Sequence, residues 1–528
     1  IIIFGYHQQI IMNKFPHKLY SSGWLLSVLC LIAACQAKVE KPGDISLNKY
    51  ADSTLVQIYD YQDKRDTKEL LAYFNHENSE YRMAAAEAFG SVQDSLAIPM
   101  LGQLLYDSSA QVRKAAAYAL GQSYDSSAVV PLTRALQDED SVFVRRELLE
   151  ALGKVVTQPQ IQLLYNQPDA SVKEKEGLAW GLYRAGIRNV HDGVAVRLGV
   201  SLLDSAHSYE TRLGAAHFLA RGKNLELKRY ETAIIKAATS DVSPNVRMAA
   251  ATALRNIQSE TAINALVVLA KKDADYRVRV NALRALSAFN FDQTNTVVYE
   301  SLGDENLHVA ITAAGVIDAQ ATADDEPFIT ETALAADSSK VKAMLLGTAL
   351  RLAEDKAPIA HFEGTEEEEV TNEYNHPIDW ELVKSLTKDQ KMMVETGKGN
   401  IELRLLVEEA PGSVANFVSL AQKGYFNGKN FHRVVPNFVV QGGCNRGDGY
   451  GGEDYSIRSE LANLRYAEGS VGMASAGKDT EGTQWFITHS PTPHLDGRYT
   501  IFAQVTDGMD VVHRLQVGDT IQSVSLIK

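Results

Sequence analysis

Between residues 50 and 358 apolar positions recur three or four apart, in runs separated by polar turns, which is the spacing of amphipathic helices. One unit repeats: a polar turn, then Val-Arg or Val-Lys, then an alanine-rich run. It reads Y-R-M-A-A-A-E-A-F-G from Tyr81, V-R-K-A-A-A-Y-A-L-G from Val112 and V-R-R-E-L-L-E-A-L-G from Val144. Later copies start at Val246, Val278 and Val341, with weaker ones near Val172, Thr211 and Val309. The basic position (Arg82, Arg113, Arg145, Lys173, Arg212, Arg247, Arg279, Ala310, Lys342) advances by 28 to 39 residues, and by 31 or 32 in five of eight steps. Each unit predicts two helices, with first helices such as 128–136 and 262–270. Asp107, Asp241, Asp273 and Asp304 stand where a carboxylate can cap the second helix. Gly90, Gly121 and Gly153 are expected to close three of these helices in left-handed geometry.

One helix pair cannot bury its apolar stripe, so such units must stack into a solenoid with a continuous core. The pattern resembles HEAT-like repeats of the phycobilin-lyase type. Some relatives of that type attach bilins to cysteine, and residues 50–358 contain none. The recurrent arginine is expected to pair with the turn carboxylate of a neighbouring unit. The solenoid itself reads as a scaffold for a protein partner.

After Pro358 the helical period stops. An acidic run, Glu366–Glu369, lies in a segment (359–388) that reads as a solvated linker, leaving the C-terminal region free to move relative to the solenoid. From Asp389 to the end the chain carries 18 of its 36 glycines, and alternating residues replace the 3.6 period. Met392–Glu395 and Asn400–Leu406 flank T-G-K-G as a hairpin, and one helix is expected over Ser413–Lys423.

Composition narrows the picture. With 45% hydrophobic and 22% charged residues the chain is globular rather than disordered. A net charge of −14 argues against nucleic-acid binding, which needs Lys and Arg against phosphate. Three cysteines, Cys30, Cys35 and Cys444, do not make a disulfide scaffold.

Met12 is the first plausible start, with residues 1–11 read as upstream of it. Lys14 and Lys18 precede an apolar run, Trp24–Ala34. As a helix that run rises only about 16 Å, short of the roughly 30 Å hydrocarbon core, so residues 1–34 read as the upstream residues followed by a signal peptide from Met12. L-I-A-A-C, Leu31 to Cys35, resembles the lipobox of bacterial lipoproteins. The resemblance implies that Cys35 is lipidated, that 35–49 is a tether, and that the protein sits in the cell envelope on a lipid anchor, with Gln36 leaning toward the outer membrane.

Three C-terminal stretches carry a second resemblance: F-H-R-V-V-P-N-F-V-V-Q-G-G (Phe431–Gly443), G-M-A-S-A-G-K-D-T-E-G-T-Q-W-F-I-T (Gly472–Thr488) and H-L-D-G-R-Y-T-I-F-A-Q-V (His494–Val505). Residues 389–528 resemble cyclophilin, the peptidyl-prolyl cis–trans isomerase family. This implies a closed β-barrel with two helices, and the whole chain is then a multidomain protein, an all-α solenoid followed by that barrel. It also implies Arg433 as the catalytic residue, with Phe431, His432, Phe438, Gln441, Ala474, Ser475, Gln484, Phe486 and Leu495 binding substrate. Clients are proline-containing proteins outside the cytoplasm, and no metal or cofactor is expected. Val439, Ser475, His494 and Tyr499 depart from the family pattern, and the changes at Ser475, His494 and Tyr499 motivate an alternative reading as a proline-segment-binding scaffold without turnover. Met473 and Trp485 read as core, the glycines of 447–452 as turns, and Cys444 as inert packing.

Overall fold

The computed structural model describes residues 47–166, 170–354 and 374–527. The signal segment, Cys35 and the Glu366–Glu369 run lie outside them.

All nine repeat motifs fall on helices: Ser79–Val92, Ala110–Gln122, Val142–Val155, Val172–Ile187, Tyr209–Arg221, Pro244–Leu254, Tyr276–Leu286, Leu307–Gln320 and Ser339–Ala353. First helices, such as Val129–Asp138 and Glu260–Lys272, pack against them. The small residues of the motif let neighbouring second helices approach closely, and their alanines (Ala85, Ala116, Ala250, Ala282) are fully buried.

The recurrent arginine does pair with the next repeat. Arg82 reaches Asp107 at 2.7 Å, Arg113 reaches Glu139 at 2.7 Å, Arg247 reaches Asp273 at 2.8 Å and Arg279 reaches Asp304 at 2.8 Å. The same guanidinium also donates to a carbonyl of its own turn, as Arg247 does to Asp241 O at 2.9 Å. Each arginine therefore ties its own turn to that of the following repeat. The turn aspartates do not cap helices directly. Asp107 and Asp241 accept from the backbone N–H two residues on, Ser109 and Ser243, and these serines hold the cap positions.

Gly90, Gly121 and Gly153 do not end their helices, which run one or two residues further in each case. They are points of close approach instead. A Cβ on Gly153 would lie 2.2 Å from the Gly181 carbonyl oxygen, and one on Gly90 would lie 2.6 Å from the Tyr118 ring. The glycine spacing follows from helix–helix distance, not from chain reversal.

The C-terminal region forms one antiparallel sheet of eight strands: β1 Lys391–Thr396, β2 Gly399–Leu405, β3 Arg433–Val435, β4 Val439–Gly442, β5 Ser470–Met473, β6 Trp485–Thr488, β7 Ile501–Asp507 and β8 Ile521–Ile527. Their order is β3-β4-β6-β5-β7-β2-β1-β8. The β1–β2 hairpin and the helix Pro411–Gln422 match the alternation and period of their sequences. That helix places Phe417 against Phe426, Trp485 and Phe502, with ring centroids 5.0–5.6 Å apart. A short second helix spans Met509–Val512.

The sheet is a curled half-barrel and not the closed barrel expected. The edge strands β3 and β8 do not ladder; they are linked only beside their ends, by the Asn430–Thr520 bridge and bonds such as Phe431 N–H to Asp519 O at 2.9 Å. The reason lies in β3. It has three residues, and Pro436, which lacks an N–H, turns the chain away at once.

Of the segment expected as a linker, residues 374–388 are among those described. Residues 374–388 fold onto the first repeat: Tyr374 donates to Asp63 at 2.6 Å, Trp380 packs on Tyr50 at 5.1 Å, and the Asn48 amide donates to Val383 O and Leu386 O at 2.8 Å. The sheet domain is fixed against the inner helices of the solenoid along most of their length. Arg184, 5% exposed, sits between Glu150 of its own solenoid and Asp496 of the sheet domain. Arg277 binds Glu468 at 2.6 Å, and His308 bonds His513 O at 2.9 Å. The partner on the inner solenoid face is thus the chain's own second domain.

Candidate functional site

Strand register builds the site. Arg433 of β3 lies opposite Gln441 of β4, Gln441 opposite Phe486 of β6, and Phe486 opposite Gly472 of β5. Side chains alternate across a sheet, so this row shares the outer face, while Val440, Ile487 and Val471 form the next row and are wholly buried inside. Trp485 and Met473 face the core as the alternation predicts.

On the outer face a second apolar cluster stands apart from the main core. Leu406, Val439, Tyr466, Phe486, Leu495 and Ile501 are buried in it, and Phe438, Ala474 and Tyr499 are half-buried at its edge. Tyr466 stacks on Phe486 at 5.6 Å, and Tyr499 meets Phe486 edge-on at 6.1 Å. Gly472 is required here, because a Cβ would fall 2.1 Å from the Tyr466 hydroxyl and 2.7 Å from the Phe486 ring. His494 stacks on Phe438 at 5.3 Å. Burial first, then the charge of Arg221, pushes its pKa down to about 2, so it is a neutral aromatic rim at pH 7.

Arg433 projects over this cluster, its guanidinium carbon 5.8 Å from the Phe438 ring centre. It donates to Gln441 Oε1 at 3.4 Å; Gln441 Nε2 donates to Gln484 Oε1 at 3.0 Å; Gln484 Nε2 donates to Gly449 O and Gly451 O at 2.8 and 2.9 Å. Because the far end is fixed by two carbonyls, each amide orientation along the relay is set in turn. No carboxylate pairs with Arg433 among the described residues. Burial lowers its pKa somewhat, yet an arginine starting at 12.5 stays charged near neutrality.

The glycine loop that anchors the relay is organised by Cys444, whose Sγ accepts from Gly449 N at 3.3 Å and Gly451 N at 3.2 Å. Burial alone would raise the thiol pKa, but these backbone donors outweigh it and bring it below the ordinary value. Cys444 is therefore more than inert packing. His432 is half-buried behind the loop, and burial followed by the Arg433 charge lowers its pKa, with a Gln484 contact acting the other way.

Of the residues expected to bind substrate, Phe438, Gln441, Ala474, Gln484, Phe486 and Leu495 converge around Arg433, and Ser475 stands half-buried beside Ala474. Phe431 does not. It is fully buried in the main core, edge-on to Trp485 at 6.0 Å, because it precedes β3 and pairs inward with the chain entering β8. Tyr466 and Cys444 were missed as site-forming residues. Tyr466 lies in an irregular stretch with no periodic signal, and Cys444 acts only through backbone donors that no side-chain pattern records.

A separate cleft of about 820 Å³ opens between solenoid and sheet domain, lined by Arg247, Tyr276, Arg277, Arg279, Glu468 and His513 among others. Its arginines are already satisfied, by Asp273, by Asp275 and Glu468, and by Asp304.

Comparison with known proteins agrees with this division. A family model described as cyclophilin type peptidyl-prolyl cis-trans isomerase/CLD matches residues 391–527, and one described as HEAT repeats matches 67–153, 98–171 and 199–287. A peptidyl-prolyl cis-trans isomerase of Helicobacter pylori is 44% identical over 145 residues, which cover 27% of this chain and 89% of that protein. One from Synechococcus elongatus is 46% identical over 137 residues, covering 26% of this chain and 94% of the relative. A solved cyclophilin type isomerase of Cryptosporidium parvum shares 29% identity, covers 26% of this chain and 98% of its own, and superposes with a TM-score of 0.25. The chain belongs to the cyclophilin type peptidyl-prolyl cis-trans isomerase family, with HEAT repeats preceding its isomerase domain.

Proposed function

We propose that the chain isomerises Xaa–Pro bonds of protein clients, with the proline ring seated on Phe438, Val439, Phe486 and Leu495 and the bond itself beneath Arg433. The observation that carries this reading is the Arg433 guanidinium, held by a neutral amide at 3.4 Å, over an apolar pocket. A prolyl amide resists rotation because resonance gives its C–N bond double-bond character, with a barrier of about 18–20 kcal/mol. No covalent bond needs to form. As the bond twists, the nitrogen lone pair leaves conjugation and becomes an acceptor, and a guanidinium donor placed there stabilises the twisted state more than the planar one. A 10³-fold acceleration corresponds to about 4 kcal/mol, within reach of one preorganised charge-assisted bond and its supporting relay.

A protease-coupled peptide assay tests this. Wild type should accelerate isomerisation, and Arg433→Ala should lose about 10²–10³-fold in kcat/KM with its fold intact. Equal rates would defeat the assignment.

The place of action is part of the same proposal. The L-I-A-A-C sequence supports lipidation of Cys35 and a role in the cell envelope, with the solenoid carried on a lipid anchor. Cys35→Ser should move the mature chain from the membrane to the soluble fraction. Retention of the variant in membranes, with no acyl chain on wild type, would refute that placement.

A further inference from the structure

The residues forming the pocket rim stand on irregular loops, and the backbone of those loops is held by the solenoid. The chain from Pro493 to Gly497 carries His494 and Leu495. Arg184, on the solenoid helix Val172–Ile187, donates to Pro493 O and to Asp496 Oδ2, each at 2.7 Å, immediately before and after these two pocket residues. Gln122 donates to Gly497 O at 2.9 Å, its own amide oriented by Lys154 at 2.7 Å. Across the pocket, Phe438 follows the tight turn at Pro436 and Asn437. There Arg284 donates to Pro436 O at 2.8 Å, and the Asn437 amide donates to Asn281 Oδ1 at 3.2 Å. The two walls of the proline pocket are thus pinned to different repeats of the solenoid. Arg433 is not; it stands on β3 and is braced by the Gln441–Gln484 relay within the sheet domain.

We propose that Arg184 and Arg284 are positioning residues for the isomerase, setting the width of the proline pocket through the loops that carry Leu495 and Phe438. The proposal rests on the isomerase reading of the Arg433 groove. A loop whose backbone groups are bonded to a rigid neighbour is preorganised, and substrate binding then spends less free energy on ordering it. Loosening either wall weakens the hold on the proline ring in the planar and twisted states alike. The expected signature is a raised KM with kcat nearly preserved, the pattern of lost uniform binding.

The test uses the full-length chain with Arg284→Ala, Arg284→Lys and Arg184→Lys, each checked for native helicity and melting. Arg284→Ala should raise KM for an Xaa–Pro peptide by about five-fold with kcat within about two-fold, and Arg284→Lys should recover part of the loss. Arg184→Lys should act in the same direction, since a single ammonium cannot span Pro493 O, Asp496 and Glu150. If Arg184→Lys does not fold, Arg284→Ala, at a half-buried position, decides alone. Wild-type KM in folded Arg284→Ala would overturn the proposal. So would a fall in kcat at constant KM, which reports only a smaller folded fraction. An inactive wild type, or an Arg433→Ala variant as fast as wild type, would instead sink the isomerase reading itself.

Discussion

Arginine in the solenoid and arginine in the sheet domain meet different partners. Arg82, Arg113, Arg247 and Arg279 each touch a carboxylate of the next repeat at 2.7–2.8 Å, whereas Arg433 donates to the Gln441 amide oxygen at 3.4 Å and meets no carboxylate among the described residues. A guanidinium already matched in charge and geometry has little left to offer a substrate, and its removal strands a partly buried acid. A guanidinium held by a neutral amide keeps both charge and donors for a group that arrives later. Architecture and chemistry are thus separated by what the partner is, not by residue type.

That contrast is sharpest in stability. Arg247→Ala takes the guanidinium from the Asp273 carboxylate, a side chain only 7% exposed, so it should cost about 3–4 kcal/mol of unfolding free energy in denaturant melts. Arg433→Ala should leave the same melt within about 0.5 kcal/mol, because no carboxylate loses a partner. Equal destabilisation by the two would erase the distinction.

The interface between the regions should respond to pH. His308 is 2% exposed and bonded to His513 O; burial first, against which that backbone bond acts, then the charges of His513, Lys340 and Arg284 push its pKa down to about 4. Its ring also faces His489, at 5.5 Å. Below pH 6.5 the unfolded chain takes up a proton that the folded ring refuses. Stability is therefore fully present above pH 6.5, falls as pH drops toward 4, and levels off below it. Over that window the contribution is about 3 kcal/mol. The difference in unfolding free energy between wild type and His308→Gln, followed from pH 7 to 4, should carry this slope; a flat difference would contradict it.

How much of this was legible beforehand depends on the range of each signal. The repeats announced themselves because their period is local, and the arginine at a fixed place in each copy pointed to a partner at a fixed place in the next. The three motifs carried the outer face of the sheet for the same reason. Gly90, Gly121 and Gly153 were misplaced because glycine near a helix end reads as a stop, while the helix-to-helix spacing that demands it has no local trace. The docking of the two regions left no trace either. Arg184 and Asp496 are 312 residues apart, and neither stands out in its own neighbourhood. Phe431 misled by its position within a groove motif, since the motif also includes the residues that turn inward.

The smallest effect refines the packing account. Gly153→Ala would gain about 1 kcal/mol from helix propensity alone. Its Cβ, however, would lie 2.2 Å from the Gly181 carbonyl oxygen, a backbone atom that cannot rotate away. Overpacking should win, for a net loss of about 1 kcal/mol in thermal or denaturant melts. A stabilised variant would show that the two helices separate at little cost.

The central claim is that the Arg433 groove turns over Xaa–Pro bonds rather than merely holding them. Two-dimensional exchange NMR of a proline peptide with substoichiometric full-length chain measures this directly. The account predicts accelerated cis–trans exchange with wild type and none beyond the uncatalysed rate with Arg433→Ala. Peptide shifts that move on wild-type binding while the exchange rate stays at its uncatalysed value would contradict it.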